Sequence, residues 1–87
     1  MARRVVVAGR VQGVFFRDTC RRRALAAGVT GWVRNRADGR VEAQFEGPPA
    51  AVAALVEWCR EGPPQASVDS VDVSEEVLSG AEGFRLR

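Results

Sequence analysis

The sequence predicts an α+β fold in which two helices pack on one face of an antiparallel sheet. Two segments carry apolar residues at the three- and four-residue spacing of a buried helix face. Residues 41–46 alternate between apolar and polar side chains, as expected of a strand with one buried face. Asp38-Gly39, just before that strand, is a typical hairpin turn and joins it to the strand that precedes it.

The first third of the chain carries a strand signal followed by a helix signal. Arg4–Ala8 is rich in valine and ends at Gly9, which favours a strand. Gly9 and Gly13 lie four residues apart and predict a loop with unusual backbone angles. The next residues predict a helix that runs to about Ala27 and is capped by Gly28. Its buried stripe is expected to contain Phe16, Cys20, Ala24 and Ala27.

The middle of the chain predicts a β-hairpin. Thr30–Arg34 is the second expected strand, and the turn at Asp38-Gly39 leads into the third. In the third strand, one set of alternating residues is expected to face the core and the other to face water. The expected buried set is Val41, Ala43 and Phe45, and the expected exposed set is Glu42, Gln44 and Glu46.

A second helix follows the hairpin. Pro48 and Pro49 suit its first turn, and Gly62 with the prolines after it ends it. Trp58 lies beside the apolar face and is expected to cover its edge. That face contains Val52, Leu55, Val56 and Cys59.

Two strands complete the predicted sheet. Val68–Val73 is the fourth strand, and its uneven alternation suggests a bulge. Phe84 and Leu86 alternate with arginines in a short last strand. The order βαββαβ, plus the short C-terminal strand, is that of the ferredoxin-like split βαβ sandwich.

The composition limits the chemistry that the chain can perform. Its 87 residues suffice for one domain, which we place over residues 1–87. His, Lys and Tyr are absent, so Ser-His and Cys-His catalysis are excluded and the commonest general base is missing. Cys20 and Cys59 lack the spacing of a metal site and are expected to be buried, unpaired thiols.

Charge and hydropathy bear on partners and location. All 13 basic residues are Arg, but the net charge is only +2, which does not by itself indicate nucleic acid. The N-terminal apolar run is too short for a signal peptide, and no stretch is long enough to span a membrane. We expect a cytoplasmic protein that binds neither nucleic acid nor membrane.

The loop between the first strand and the first helix is a candidate anion site. Helix-start N–H groups have no internal partners and carry partial positive charge, and a preceding glycine loop can turn further N–H groups inward. Here the cradle would span residues 12–16, with Arg17 in the first helical turn as a bidentate donor. A tight turn with a solvent-exposed Arg17 explains the same residues. The residues of a Walker loop and of a dinucleotide fingerprint are missing.

Asn35, at the end of the second strand, is a second candidate. In this fold the loop after strand one can reach polar residues near that end of the sheet. The side-chain amide offers an acceptor and two donors, so it can hold a water molecule in a fixed orientation. A turn residue beside Asp38-Gly39 is the competing interpretation.

These residues resemble the signatures of a known family. Val7–Arg17, with the sequence VAGRVQGVFFR, closely resembles the first signature of acylphosphatases. Gly31–Asn35, followed by Asp38–Glu42, resembles the second, and Gly83–Arg87 is similar to the usual C-terminus. The resemblance covers nearly the whole chain, with both signatures in the family's order.

The resemblance implies a specific reaction. Acylphosphatases hydrolyse the carboxyl-phosphate bond of small-molecule acyl phosphates to a carboxylate and inorganic phosphate, with no metal, no cofactor and no covalent phosphoenzyme. By the same resemblance we expect a monomer. Asn35 would position the attacking water, and Arg17 would bind the substrate phosphate together with the backbone amides of Gln12, Gly13, Val14, Phe15 and Phe16.

Two other function classes are alternatives to an enzyme for a chain of this predicted fold. An RNA-binding module of this fold needs exposed aromatic residues on its central strands, but those strands here carry Val5, Val7, Val41, Ala43 and Phe45. A non-catalytic anion-binding domain is the other, because acylphosphatase-like domains also occur within larger proteins of carbamoyl transfer. The presence of both Arg17 and Asn35 favours an enzyme.

Overall fold

The strands and helices follow one another in the predicted order. The computed structural model describes residues 1–87, and both helices pack on one face of a five-stranded sheet. The elements are β1 (Ala2–Arg10), α1 (Phe16–Ala27), β2 (Thr30–Asn35), β3 (Val41–Glu46), α2 (Pro49–Glu61), β4 (Ser67–Glu75) and β5 (Phe84–Leu86).

The strand order is β4-β1-β3-β2-β5, with β3 in the centre. All pairs among the four longer strands are antiparallel, which confirms the ferredoxin-like sandwich. The short C-terminal strand β5 instead pairs in parallel with β2, so the complete sheet is mixed. Through this pairing β5 lies beside the end of β2 at one edge of the sheet.

The strands are longer than the apolar pattern predicted. β1 extends from Ala2 to Arg10 and β4 from Ser67 to Glu75. Backbone pairing continues beyond the apolar residues, since Arg3 lies opposite both Phe45 of β3 and Glu75 of β4. Exposed polar side chains do not prevent main-chain hydrogen bonds. The pattern of apolar residues therefore predicts strands that are too short.

The core between the sheet and the helices contains the predicted residues with one exception. Phe16, Cys20 and Ala24 of α1 are buried, as are the predicted residues of α2. Trp58 is buried as well and packs on Phe16, with ring centroids 5.1 Å apart. The expectation for Ala27 was wrong: it is exposed, because the last helical turn before Gly28 has left the core.

The polar face of β3 is not open to water, so that expectation was also wrong. Glu42 is only 4% exposed, because arginines on both neighbouring strands cover it. Arg4 Nε lies 2.8 Å from its Oε2, and Arg34 Nη2 lies 2.6 Å from its Oε1. The inner set, Val41, Ala43 and Phe45, is buried as predicted.

Glu46, also 4% exposed, ties the connection between β4 and β5 to the sheet. Its carboxylate accepts hydrogen bonds from the Ser79 hydroxyl and from the amides of Ser79, at 2.9 Å, and Gly80, at 3.3 Å. The hydroxyl bond is the main cause of a pKa below the ordinary value of 4.5 for this carboxyl, and the amide bonds add to it. The connection that leads to β5 is thereby held in place.

The predicted irregularity of β4 is confirmed as a bulge. Between Ala8 and Gly9 the partner residue changes from Ser70 to Val68, which leaves Asp69 as the extra residue. A side chain at Gly9 would lie 2.3 Å from the Ser67 carbonyl oxygen, so only glycine permits this close approach. The bulge lies where β1 leads into the loop that precedes α1.

Neither helix has the combination of length and apolar character that crossing a membrane requires.

We expect Glu46→Gln to lower the free energy of unfolding at pH 7 by about 2 kcal/mol, because hydrogen bonds to a charged acceptor are lost. A carboxyl whose folded-state pKa is depressed stabilises the fold above its unfolded-state pKa. That contribution disappears as the pH falls through the lower folded-state pKa. The difference between wild type and variant should therefore shrink below pH 4.5. Urea unfolding at pH 7 and pH 3 measures it.

Glu57→Gln is the matched control, since Glu57 is exposed and contacts only Arg60, at 3.4 Å. Its effect should be within about 0.5 kcal/mol at both pH values. Equal losses for the two variants, or a Glu46→Gln effect that does not change with pH, would contradict the role of Glu46.

Candidate active site

A cavity of about 280 Å³ lies where β1 has ended and α1 begins. The ends of β2 and β5 close its other side. Its lining residues are Val11, Gly13, Phe15, Phe16, Arg17, Asp18, Asn35 and Leu86. The cavity thus combines parts of the candidate anion loop with Asn35, which the sequence placed on separate elements.

The backbone of the loop departs from regular structure at two residues. Gly13 and Phe15 both adopt left-handed angles, with φ of 74° and 65°. Alternation of left-handed with other residues turns successive N–H groups toward one side, which forms a nest for negative charge. Phe15 is also the N-cap of α1, and no side chain caps the first N–H groups of the helix. These donors remain available to an anion in the cavity.

Arg17 is the cation of this cavity. It is half-buried in the first turn of α1 and has no carboxylate within 4.0 Å. The neighbouring Asp18 instead pairs with Arg22, at 3.2 Å. The guanidinium is therefore not neutralised within the protein and can accept an anionic ligand in bidentate geometry.

Asn35 is the last residue of β2 and lies opposite Val41 of β3. Strand alternation places it on the same face as the buried Gly31 and Val33, which is the helix side of the sheet. Its side chain is exposed into the cavity that Arg17 also lines. The structure thus places Asn35 within β2 and before the turn at Asp38-Gly39.

The side chain of Gln12 connects the loop to the β2–β3 hairpin. Its Nε2 donates to the carbonyl oxygens of Arg36, at 2.8 Å, and Arg40, at 3.0 Å. The same hairpin is closed by the Arg36 amide and the Arg40 carbonyl oxygen, 2.8 Å apart. One amide group thus holds the loop against the hairpin that carries Asn35.

The predicted loop residues have different placements. Gly13, Phe15 and Phe16 line the cavity with Arg17 and Asn35. Gln12 and Val14 do not line it: Gln12 points to the hairpin, and Val14 is buried in the core beneath the loop. Phosphate binding by their backbone amides remains a prediction.

Two functional features escaped sequence reasoning. Gln12 was expected to act only through its backbone amide. Nothing in the local sequence shows that its side chain contacts a residue 24 positions away. Leu86 was assigned to a strand and not to the site, although its place in a short alternating strand fixed which face it would share with Phe84. Both depend on strand register.

The chain is similar to known proteins over nearly its whole length. A model of the family described as Acylphosphatase matches residues 3–86. A protein named acylphosphatase from Rubrobacter xylanophilus is 64% identical over 85 residues, which cover 97% of this chain and 77% of that relative. The chain belongs to the acylphosphatase family. Family membership makes it an enzyme, as the sequence predicted.

Solved structures agree with this assignment. An acylphosphatase from Coxiella burnetii superposes with a TM-score of 0.95 at 43% identity, covering 99% of this chain and 90% of that one. Full-length HypF in its phosphate- and nucleotide-bound form superposes with a TM-score of 0.91 at 28% identity. That match covers 99% of this chain but only 11% of HypF. The same fold therefore occurs both alone and within a much larger protein.

The two cysteines lie outside this acylphosphatase cavity. Both are free thiols buried in the core, as predicted. Burial raises the pKa of Cys59 to about 12 and holds the pKa of Cys20 well above its ordinary value of 9.0. A thiol of this kind is not an effective nucleophile near neutral pH. No three His, Cys, Asp or Glu side chains are grouped to hold a metal ion.

We expect neither thiol to react with Ellman's reagent at pH 8 in the folded protein, because both are buried and protonated. In urea both should react within minutes. The absorbance of the thiolate that the reagent releases, followed with and without denaturant, measures this directly. Rapid reaction of one thiol in the folded protein would show that a cysteine is accessible and would reopen a role for it.

Proposed function

We propose that the chain hydrolyses acyl phosphates in this cavity, with the loop and Arg17 binding the phosphate and Asn35 positioning the attacking water. The observation that carries the proposal is the presence of an unpaired arginine, an uncapped helix start and a free side-chain amide in one cavity. Family membership supports the same reaction class.

Binding of the substrate phosphate depends on the charge of its oxygens. A phosphate group carries its negative charge on oxygens that can accept several hydrogen bonds at once. The left-handed residues Gly13 and Phe15 would direct backbone N–H groups into the cavity, and Arg17, which lines it, would add a fixed positive charge. These donors would stabilise the charge that spreads over the phosphoryl oxygens in the transition state.

Positioning of the attacking water depends on the side-chain amide of Asn35. Its carbonyl oxygen can accept a hydrogen bond from a water molecule and so aim the water's lone pair at phosphorus. As the new oxygen–phosphorus bond forms, the bond between phosphorus and the acyl oxygen breaks, and its electron pair leaves with the carboxylate. One proton of the water passes to an oxygen of the substrate phosphate. The products are a carboxylate and inorganic phosphate.

This reaction suits a chain without His, Lys or Tyr. A carboxylate is a good leaving group and needs no general acid. Positioning and charge neutralisation supply most of the catalysis in phosphoryl transfer. The two hydrogen bonds from Gln12 to the hairpin support the positioning, because they fix the separation between the loop and Asn35.

The competing classes are less well supported. Stacking of RNA requires exposed aromatic residues, but the helix-free face of central β3 carries the buried carboxylates Glu42 and Glu46. A non-catalytic anion-binding domain remains the alternative to test, since a domain of this fold forms a small part of HypF.

The first experiment measures hydrolysis of benzoyl phosphate in the presence of a chelator. Arg17→Ala should lower kcat/KM by more than about a hundredfold, since it removes the charged donor set. Arg17→Lys keeps the charge but loses the bidentate fork and should recover only part of the activity. Arg60→Ala is the matched control, because it removes an equal charge from exposed α2 and should change kcat/KM by less than about twofold.

Asn35→Ala separates the two proposed roles in the same assay. It should lower kcat by about a hundredfold, while inhibition by inorganic phosphate stays within about twofold of wild type. Full activity of this variant would refute the water-positioning role. Phosphate binding by a wild type that hydrolyses nothing would instead indicate an anion-binding domain, and loss of wild-type activity in chelator would contradict metal independence.

Gly13→Ala tests the backbone cradle, with Gly80→Ala as a matched control. Both glycines have φ of 74°, and a built side-chain carbon meets no atom within 4 Å at either position. Each substitution should therefore cost about 1 kcal/mol of stability through backbone strain alone. Only Gly13→Ala should also weaken phosphate inhibition, by about tenfold. Urea unfolding and inhibition constants measure the two effects, and equal phosphate binding by both variants would refute the cradle.

A further inference from the structure

Two large apolar side chains lie exposed at the rim of the cavity. Phe15 is 67% exposed and Leu86 is 48% exposed, and both line the cavity with Arg17 and Asn35. The other exposed large apolar residues of the chain lie outside this cavity. The polar groups of the site are thus bordered by an apolar rim, defined here as Phe15 and Leu86.

The backbone at Phe15 does not explain the residue found there. Its φ of 65° lies in the left-handed region, which a bulky aromatic residue adopts at a cost and which Gly or Asn adopts readily. The ring gains no burial in the core in exchange, because it is mostly exposed. An aromatic side chain in a strained position at the mouth of a site suggests a contact with a ligand.

Leu86 lines the cavity from a strand that is fixed in place. It lies opposite Val33 in the parallel pairing of β5 with β2, and the Arg87 amide donates to the Val33 carbonyl oxygen at 2.8 Å. Arg21 of α1 donates through Nε to the Phe84 carbonyl oxygen, at 3.1 Å, and so ties β5 to the helix. The rim is therefore held at both α1 and β2.

We propose that the rim binds the acyl group of the substrate and makes the enzyme prefer acyl phosphates with apolar acyl chains. This inference rests on the proposed function and adds the substrate class to it. A cavity of about 280 Å³ has room beyond a phosphate group and one water, and the rim supplies an apolar surface there. Contact with an alkyl chain or aromatic ring removes apolar surface of both partners from water.

The test compares hexanoyl phosphate with acetyl phosphate, which share the reacting group but differ in the length of the acyl chain. The wild type should have a kcat/KM for hexanoyl phosphate at least about tenfold above that for acetyl phosphate. Leu86→Ser should reduce this ratio by about fivefold, because the chain loses one side of the rim. Phe15→Asn, which tolerates the left-handed backbone, should reduce it similarly.

Leu78→Ser is the matched control, since Leu78 is 62% exposed and lies away from the cavity. The ratio of its kcat/KM for hexanoyl phosphate to that for acetyl phosphate should equal the ratio of the wild type. Inhibition by hexylphosphonate relative to methylphosphonate gives the same comparison without catalysis, and the preference should fall in both rim variants. A general change in stability would alter neither ratio.

The outcomes separate this proposal from the one on which it rests. If the wild type hydrolyses neither substrate, the proposed function is wrong and the acyl subsite fails with it. If the wild type hydrolyses both but shows no chain-length preference, or if the rim variants keep the wild-type ratio, the acyl subsite alone is wrong. A ratio that falls in both rim variants and not in Leu78→Ser supports it.

Discussion

A single side-chain amide holds the two polar halves of this cavity together. Gln12 donates both of its protons across the hairpin, to carbonyl oxygens on either side of the turn. The loop and the hairpin share no strand pairing with each other, since β1 and β2 both pair with β3 instead. This contact adds to the anchoring that α1, the bulge and the burial of Val14 give the loop.

The loop itself is determined by backbone geometry. The bulge at Gly9 ends regular pairing, and left-handed residues at Gly13 and Phe15 then turn the chain sharply into α1. Burial of Val14 beneath the loop anchors it to the core at its midpoint. Strain at an exposed position is thus balanced by packing at the neighbouring one, which is common where a fold carries a binding site.

Most of the fold was predictable because its signals are local. The helix that ends at Gly28 and the inner face of β3 follow from the spacing of apolar residues alone. The covered outer face of β3 was not predictable, because Glu42 is buried by arginines that approach from two other strands. Arg17 and Asn35 came from motifs within short segments, whereas the contacts of Gln12 and the place of Leu86 depend on strand register. Non-local pairing is what a pattern in one segment cannot reveal.

The short edge strand β5 has a consequence for how this enzyme could change over evolution. The residues proposed to perform the chemistry all lie before residue 41. Strand β5 begins only at Phe84 and pairs with β2 alone. An edge strand pairs on one side only, so less of the sheet depends on it than on a central strand. Phe84 is buried against Phe45, but the exposed Leu86 can vary without disturbing the loop or the hairpin. Leu86, one half of the apolar rim, could then change with the acyl group of the substrate while the residues of the loop and the hairpin stay the same.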